Sequence, residues 1–222
     1  MGFVLVDGRE VRCEARVRSD HAFKFTGLAK REQTRCVVLH WTGGFRGGPA
    51  VFRTLLQRKL SVHFNIDADG TIWQFCDASM RCSHATGANS WSVGIEMSNP
   101  AQQGHVAGDA PRAVVVENIH GNDLQHTTFT AEQMSAALAL TQTLCKAYGL
   151  PLAVPMDGND VLSTAAKAGE LDVFRGVVGH LHLTRRKVDP GLAILRAVAA
   201  LDPVNGFRDG EDIGPLRAPG PA

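Results

Sequence analysis

The stretch Arg175-Gly-Val-Val-Gly-His180-Leu-His182-Leu-Thr-Arg-Arg-Lys187-Val-Asp189-Pro-Gly191 sets the reading of this chain. An apolar run ends at Gly179-His180, a basic loop follows, and an Asp-Pro-Gly corner closes it. His180 and Asp189 are both ligand types for first-row metals, and a short loop can fold them onto one centre. They cannot complete a site alone, because catalytic zinc takes three protein ligands and keeps one position open. A second apolar run ends the same way: Cys36-Val-Val-Leu-His40-Trp-Thr-Gly-Gly44. If the two runs are neighbouring strands, His40 and His180 meet at one end of the sheet, where open α/β folds place their sites. A competing reading of Asp189-Pro190 is the start of a helix over Leu192 to Leu201, with Asp as N-cap and Pro in the first turn. Local sequence does not separate cap from ligand, and a single histidine at a strand end is more often structural.

The 222 residues suit one domain with appendages, and 44% hydrophobic with 20% charged residues is ordinary for a globular chain with a sizeable core. A net charge of +1 gives no bulk electrostatic case for nucleic acid or an anionic membrane. No apolar run approaches the roughly 20 residues of a membrane span. The opening Met1-Gly-Phe-Val-Leu-Val-Asp-Gly8 turns polar too soon for a secretory signal, so synthesis in the cytoplasm is expected. The five cysteines, Cys13, Cys36, Cys76, Cys82 and Cys145, have no regular spacing and read as free thiols rather than a disulfide framework.

Asp7-Gly8 between apolar segments signals a hairpin, and alternation from Val11 gives a strand with one wet face. Residues 18 to 34 read as a loop. Cys36 to Leu39, apolar on both faces, suits a central strand. Pro49 opens a helix to about Leu60, with Phe52, Leu55, Leu56 and Leu60 on one side. Ser61 to Ile66 and Thr71 to Phe75 flank the turn Asp67-Ala-Asp69-Gly70. Val93, Ile95 and Met97 share one strand face and Glu96 lies on the other. Residues 99 to 128 read as an excursion in which only Ala113 to Glu117 resembles a strand. Thr130-Ala-Glu-Gln133 is a capping box, opening a helix that ends at Gly149. A short helix is expected from Val161 to Ala168, and a strand from Phe174 to Val178. The Gly-, Pro- and Asp-rich end, about Gly206 to Ala222, reads as a tail.

Four stretches stand in the order found in zinc-dependent N-acetylmuramoyl-L-alanine amidases of the type-2 family, whose fold peptidoglycan recognition proteins share. They are Val37-Val-Leu-His40; Ser61-Val-His63-Phe-Asn-Ile-Asp-Ala-Asp-Gly-Thr-Ile72; Ser92-Val-Gly-Ile-Glu96; and Gly179-His180 with Lys187-Val-Asp189-Pro-Gly191. The resemblance covers roughly residues 34 to 200. It implies a single α/β domain with a mixed central sheet flanked by helices. It implies Zn²⁺ held by His40, His180 and Asp189, with Glu96 acting on the zinc-bound water and Lys187 stabilising the oxyanion. The loop after His180 departs from common members, which often carry Pro and Asp near His182 to Arg186, and His182 stands as a spare ligand. His63 and His84 are weaker candidates for lining the substrate groove, and His63 suits the core equally well. Trp41 and Trp91 suit either a sugar or the core.

The division this implies is an N-terminal hairpin extension at 1–30, an amidase domain at 31–205 with an insertion at about 99–128, and a flexible tail at 206–222. The implied activity is hydrolysis of the amide between N-acetylmuramic acid and L-alanine in peptidoglycan or muropeptides, by a monomer. That activity fits an endolysin, a recycling enzyme or a delivered toxin, acting on the wall after release or on fragments in the cytoplasm. Two other classes remain: a non-catalytic peptidoglycan-binding module, and a zinc peptidase acting on stem peptides.

Overall fold

The structure, a computed structural model, describes residues 1–44, 47–101 and 112–201. The expected tail lies outside these residues, as do residues 102–111 of the expected excursion. Strands β1 (Gly2–Val6) and β2 (Arg9–Cys13) form an antiparallel hairpin. Its turn places Asp7 and Gly8 at φ 54° and 76°, the left-handed pair that matches the twist of a two-residue hairpin. The Asp77 carboxylate accepts from both turn amides, at 2.9 and 2.7 Å. Val4, Val6 and Cys13 point inward and join the main core.

β3 (Val17–Arg18), β4 (Cys36–Trp41), β5 (Phe64–Ile66), β6 (Ile72–Gln74), β7 (Ser92–Met97) and a late strand, Gly176–Gly179, make a six-stranded sheet. Helix α1 (Gly48–Gln57) follows β4, and β8 (Val114–Ile119) and β9 (Asn122–Thr127) form a separate hairpin. Then come α2 (Ala131–Tyr148), the small hairpin of β10 (Met156–Asp157) and β11 (Asp160–Val161), and α3 (Glu170–Val173). The late strand, β12, leads directly into α4 (His180–Leu183), and α5 (Ala193–Ala199) closes the described chain. The sheet order is β12-β4-β7-β5-β6-β3, parallel throughout except between β5 and β6.

β4 is therefore central, as its unbroken apolar run requires. Val37 and Leu39 face the main core with Val93, Ile95, Met97 and Val177, under α2. Cys36 and Val38 face the other side with Val178. α2 begins at the expected capping box: Thr130 accepts from the Gln133 amide and the Gln133 side chain returns to Thr130 N. It ends at Gly149 with φ 60°. No described helix is long and apolar enough to cross a membrane.

Four elements differ from the sequence reading. α1 stops at Gln57, with Lys59 at φ 56°, and buries Val51 and Phe52 while Leu56 and Leu60 stay exposed. β9 is a full strand although Leu124 is its only aliphatic residue. Residues 161–168 are not a helix. Their polar backbone is spent elsewhere: Leu162 O binds His182, Ser163 O accepts from His120 N, and Ala166 N donates to His182 O. Asp189 does not cap α5, whose N-cap is Leu192.

The β8–β9 hairpin is fastened to the chain after Asp189 through a buried ion pair. His126 Nε2 lies 2.8 Å from Glu117 Oε2, and its Nδ1 lies 3.0 Å from Thr127 O, so both ring nitrogens face acceptors and the ring is held as imidazolium. Glu117 Oε2 also accepts from Leu192 N at 2.7 Å, and Arg196 approaches Oε1 at 3.6 Å. Burial works against charge on His126, but Glu117 and the Thr127 carbonyl outweigh it and raise its pKa. Burial likewise opposes the Glu117 carboxylate, but His126 and the Leu192 amide hold its pKa below the usual value. The histidine's contribution is complete below its unfolded pKa, about 6.5, and is lost as pH rises through the raised folded value. The glutamate's contribution is lost only as pH falls through a value below the usual 4.5. Urea unfolding should therefore show His126→Gln less stable than wild type by about 1–3 kcal/mol at about pH 5.5, with a smaller deficit at about pH 9. An equal deficit at both pH values would mean the ring is not held charged.

Candidate functional site

His40 and Glu96 are register partners on β4 and β7, and Gly179 pairs with Leu39, so His180 enters beside His40 at the same sheet end. α4 is a single turn whose start is fixed by Gly179 N donating to His182 Nδ1 at 3.1 Å. Leu181 N then donates to Asp189 O at 2.9 Å, returning the loop so that Asp189 sits next to His180. The corner that follows has no room for a side chain: a Cβ on Gly191, at φ 79°, would stand 2.8 Å from Glu117 Oε2. His120, at the β8–β9 turn, donates from Nε2 to Lys187 O at 2.7 Å. The excursion thus holds the loop carrying Lys187 and Asp189 from outside.

Three donor atoms converge. His40 Nδ1 lies 3.0 Å from His180 Nδ1 and 3.1 Å from Asp189 Oδ2, and His180 Nδ1 lies 3.0 Å from the same oxygen. Exposure of the three residues is 1%, 8% and 6%. Two imidazoles and one carboxylate gathered in this way match the donor set of a first-row metal with an open position. Burial opposes the Asp189 carboxylate, yet the His180 and His40 imidazoles that face it hold its pKa well below the usual range. Burial lowers the pKa of His40, and neutral imidazole is the form that binds metal.

Glu96 lies beside this cluster on the same face of the sheet. Its Oε2 is buried without a hydrogen-bond partner among the described residues. Burial, reinforced by the Asp189 charge, pushes its pKa up to about 8, with Lys187 and Arg58 acting in the opposite sense. The residues border a cavity of about 530 Å³ whose walls include His40, His84, Glu96, His180, Lys187 and Asp189. The opposite wall, Val51, Thr54, Leu55, Arg58 and Leu60, comes from α1 and its end. That wall was missed in the sequence, although a helix whose apolar face is too wide for its burial is a signal for it. Trp41 also borders the cavity and packs against His126 at 5.0 Å between ring centroids. Trp91 lies elsewhere, against Arg35.

Two histidines do not reach the site. His182, the spare ligand, is buried between Gly179 N and Leu162 O. His63, expected at the groove, is fully buried in the core: its Nδ1 accepts from Gly94 N at 3.0 Å and its Nε2 lies 2.7 Å from Met80 O. Cys76 and Cys82 sit nearby as free thiols, 3.4 Å apart.

Residues 30–192 match the family of N-acetylmuramoyl-L-alanine amidases. No curated protein sequence matches the chain. Among solved structures, the chain resembles the N-acetylmuramoyl-L-alanine amidase LysC from Clostridium intestinale URNW, with a TM-score of 0.55 and 17% identity over 84% of this chain and 96% of that one. The Ph2119 endolysin of a Thermus scotoductus MAT2119 bacteriophage is similar, with a TM-score of 0.54 and 18% identity over 83% and 97%. A mutant of the Drosophila recognition protein PGRP-LB, in complex with tracheal cytotoxin, reaches 0.50 at 14% identity over 84% and 95%. At these identities the likeness establishes the shared fold, a mixed sheet with helices in one α/β domain. The family match spans all four stretches quoted for the resemblance, and on that match the chain belongs to the N-acetylmuramoyl-L-alanine amidase family.

Proposed function

We propose that this chain is a zinc hydrolase that cleaves the amide between N-acetylmuramic acid and L-alanine, in peptidoglycan or in muropeptides released from it. The observation that carries the reading is the convergence of His40 Nδ1, His180 Nδ1 and Asp189 Oδ2 beside Glu96, whose Oε2 has no hydrogen-bond partner among the described residues. Zinc held by these three residues would supply a Lewis acid and a water acidified toward neutrality. Glu96 takes the proton of the attacking water and returns it to the leaving amine. A carboxyl whose affinity for a proton is raised by burial suits both directions of that transfer. The Lys187 ammonium stands over the cavity as the cation for negative charge on the carbonyl oxygen. The α1 wall and Trp41 give the cleft an apolar side for the substrate. Two solved relatives support the reading by their names, as amidase and endolysin, and the Drosophila relative is described with a bound ligand.

Digestion of purified cell wall followed by mass spectrometry tests the bond. Free lactyl groups on muramic acid with intact stem peptides are expected. Cut stems would make the chain a peptidase, and unchanged wall would make it a binding module.

Metal analysis tests the ligands. Wild type should carry about one zinc per chain, and His180→Ala should lose most of it, since a three-ligand site tolerates little loss. His182→Ala should keep it. The reverse pattern would place the metal on the other histidine.

Glu96→Gln tests the shuttle. The amide is nearly isosteric and cannot accept the water's proton, so kcat should fall by about 10²–10⁴-fold with zinc retained and KM little changed. Retention of more than about a tenth of wild-type kcat with zinc bound would remove Glu96 from that role.

A further inference from the structure

His84 follows β6 on the loop that returns to β7, and its backbone amide is held by Asn89 Oδ1 at 3.0 Å. Its ring lies behind His40, with Nδ1 3.0 Å from His40 Nε2. On its far side, Nε2 lies 3.3 Å from Ser92 Oγ. The Ser92 hydroxyl donates its single hydrogen to Ala88 O at 2.8 Å, so Oγ meets the imidazole as an acceptor. His84 must then carry its proton on Nε2, which leaves Nδ1 bare. Only one arrangement satisfies the remaining contact: His40 donates from Nε2 to His84. His40 Nδ1 is left with its lone pair directed at His180 and Asp189.

The floor under this ring is built for it. A Cβ on Gly94 would stand 2.6 Å from His84 Cγ and Nδ1, so β7 presents bare backbone where the imidazole lies. The rings of His40 and His63 meet its edges at centroid distances of 5.2 and 5.6 Å, with interplanar angles of 88° and 76°. Both nitrogens of His84 are engaged within the protein, and neither is offered to the cavity that the ring borders.

Resting on the metal reading above, we propose that His84 is a positioning residue for His40: its Nδ1 accepts the His40 Nε2 proton and so fixes the tautomer that presents His40 Nδ1 to zinc. An outer partner of this kind sets a ligand's orientation and basicity, and its loss typically costs 10–100-fold in metal affinity. The role differs from substrate contact, which the position of His84 in sequence also allowed.

Zinc affinity is measured by competition with a chromophoric chelator for wild type, His84→Leu and His84→Asn. Leu keeps most of the bulk of the ring and offers no acceptor. Asn places Oδ1 near the former position of Nδ1. Leu should weaken zinc binding about 10–100-fold, and Asn should stay within about threefold of wild type. Equal weakening in both variants, or none in either, overturns the assignment. The ring ¹⁵N shifts of His40 in metal-free wild type give a second test that needs no variant to fold. A proton on Nε2 supports the assignment and an Nε2 without a proton overturns it. Wild type that binds zinc no better than His180→Ala would sink the metal reading itself, and the tautomer measurement would still judge this hydrogen bond.

Discussion

Parallel pairing of β12, β4 and β7 puts two imidazoles and a carboxyl at one sheet end, and the site depends on that register. A slip of one residue in either pairing turns a strand over, because side chains alternate faces. His40 would then enter the core occupied by Leu39, or Glu96 would exchange places with Ile95. The register is enforced by apolar burial on both faces: Val37, Leu39, Val93, Ile95 and Val177 under α2, Cys36, Val38 and Val178 on the other side. The hydrophobic effect thus does the positioning, and the polar residues ride on strand ends that burial has fixed.

Concentrating polar groups there has a cost that the surroundings offset unequally. Asp189 has two imidazoles for partners and ionises readily despite burial. Glu96 has none for Oε2 among the described residues, and its proton affinity rises instead. Two carboxyls beside one cluster are thus driven in opposite directions, Asp189 by the imidazoles that face it and Glu96 by burial and the Asp189 charge. Gly94 adds a third constraint, since its lack of a side chain lets an imidazole lie against the strand between them.

Much of this was legible in the residues. The run Cys36 to Leu39, apolar on both faces, announced a central strand; Thr130 to Gln133 and Gly149 bounded α2, and Asp7-Gly8 made its turn. What could not be read depended on partners distant in sequence. Asp189-Pro190 has the chemistry of a cap and of a ligand alike, and the backbone bond from Leu181 to Asp189 decides where the carboxylate points. His63, His84 and His182 are equivalent as letters, yet two are enclosed by backbone amides and carbonyls while one meets His40. β9 escaped notice because its buried positions are His126 and Thr127, polar residues satisfied by pairing, which hydrophobic periodicity does not register. Ala165 and Ala166 favour a helix locally, but that segment's backbone groups are claimed by His120 and His182.

The loop from Thr184 to Gly191 shows how irregular backbone is given a fixed shape. It has no strand partner of its own. Its beginning is tied by Leu181 to Asp189, its middle by His120 to Lys187, and its end by Glu117 to Leu192. Two of these three ties come from the β8–β9 hairpin, an element with few aliphatic residues turned inward. The hairpin is itself braced by the charged His126–Glu117 pair between its two strands and anchored by Asn99 and Ala101, which engage Thr127. Asp189 and Lys187 therefore take their positions from a polar scaffold, whereas His40 and Glu96 take theirs from the apolar sheet. The two halves of the site rest on different physics. Raising the pH until His126 loses its charge should loosen the loop side first, while the strand side stays in place for as long as the core remains folded.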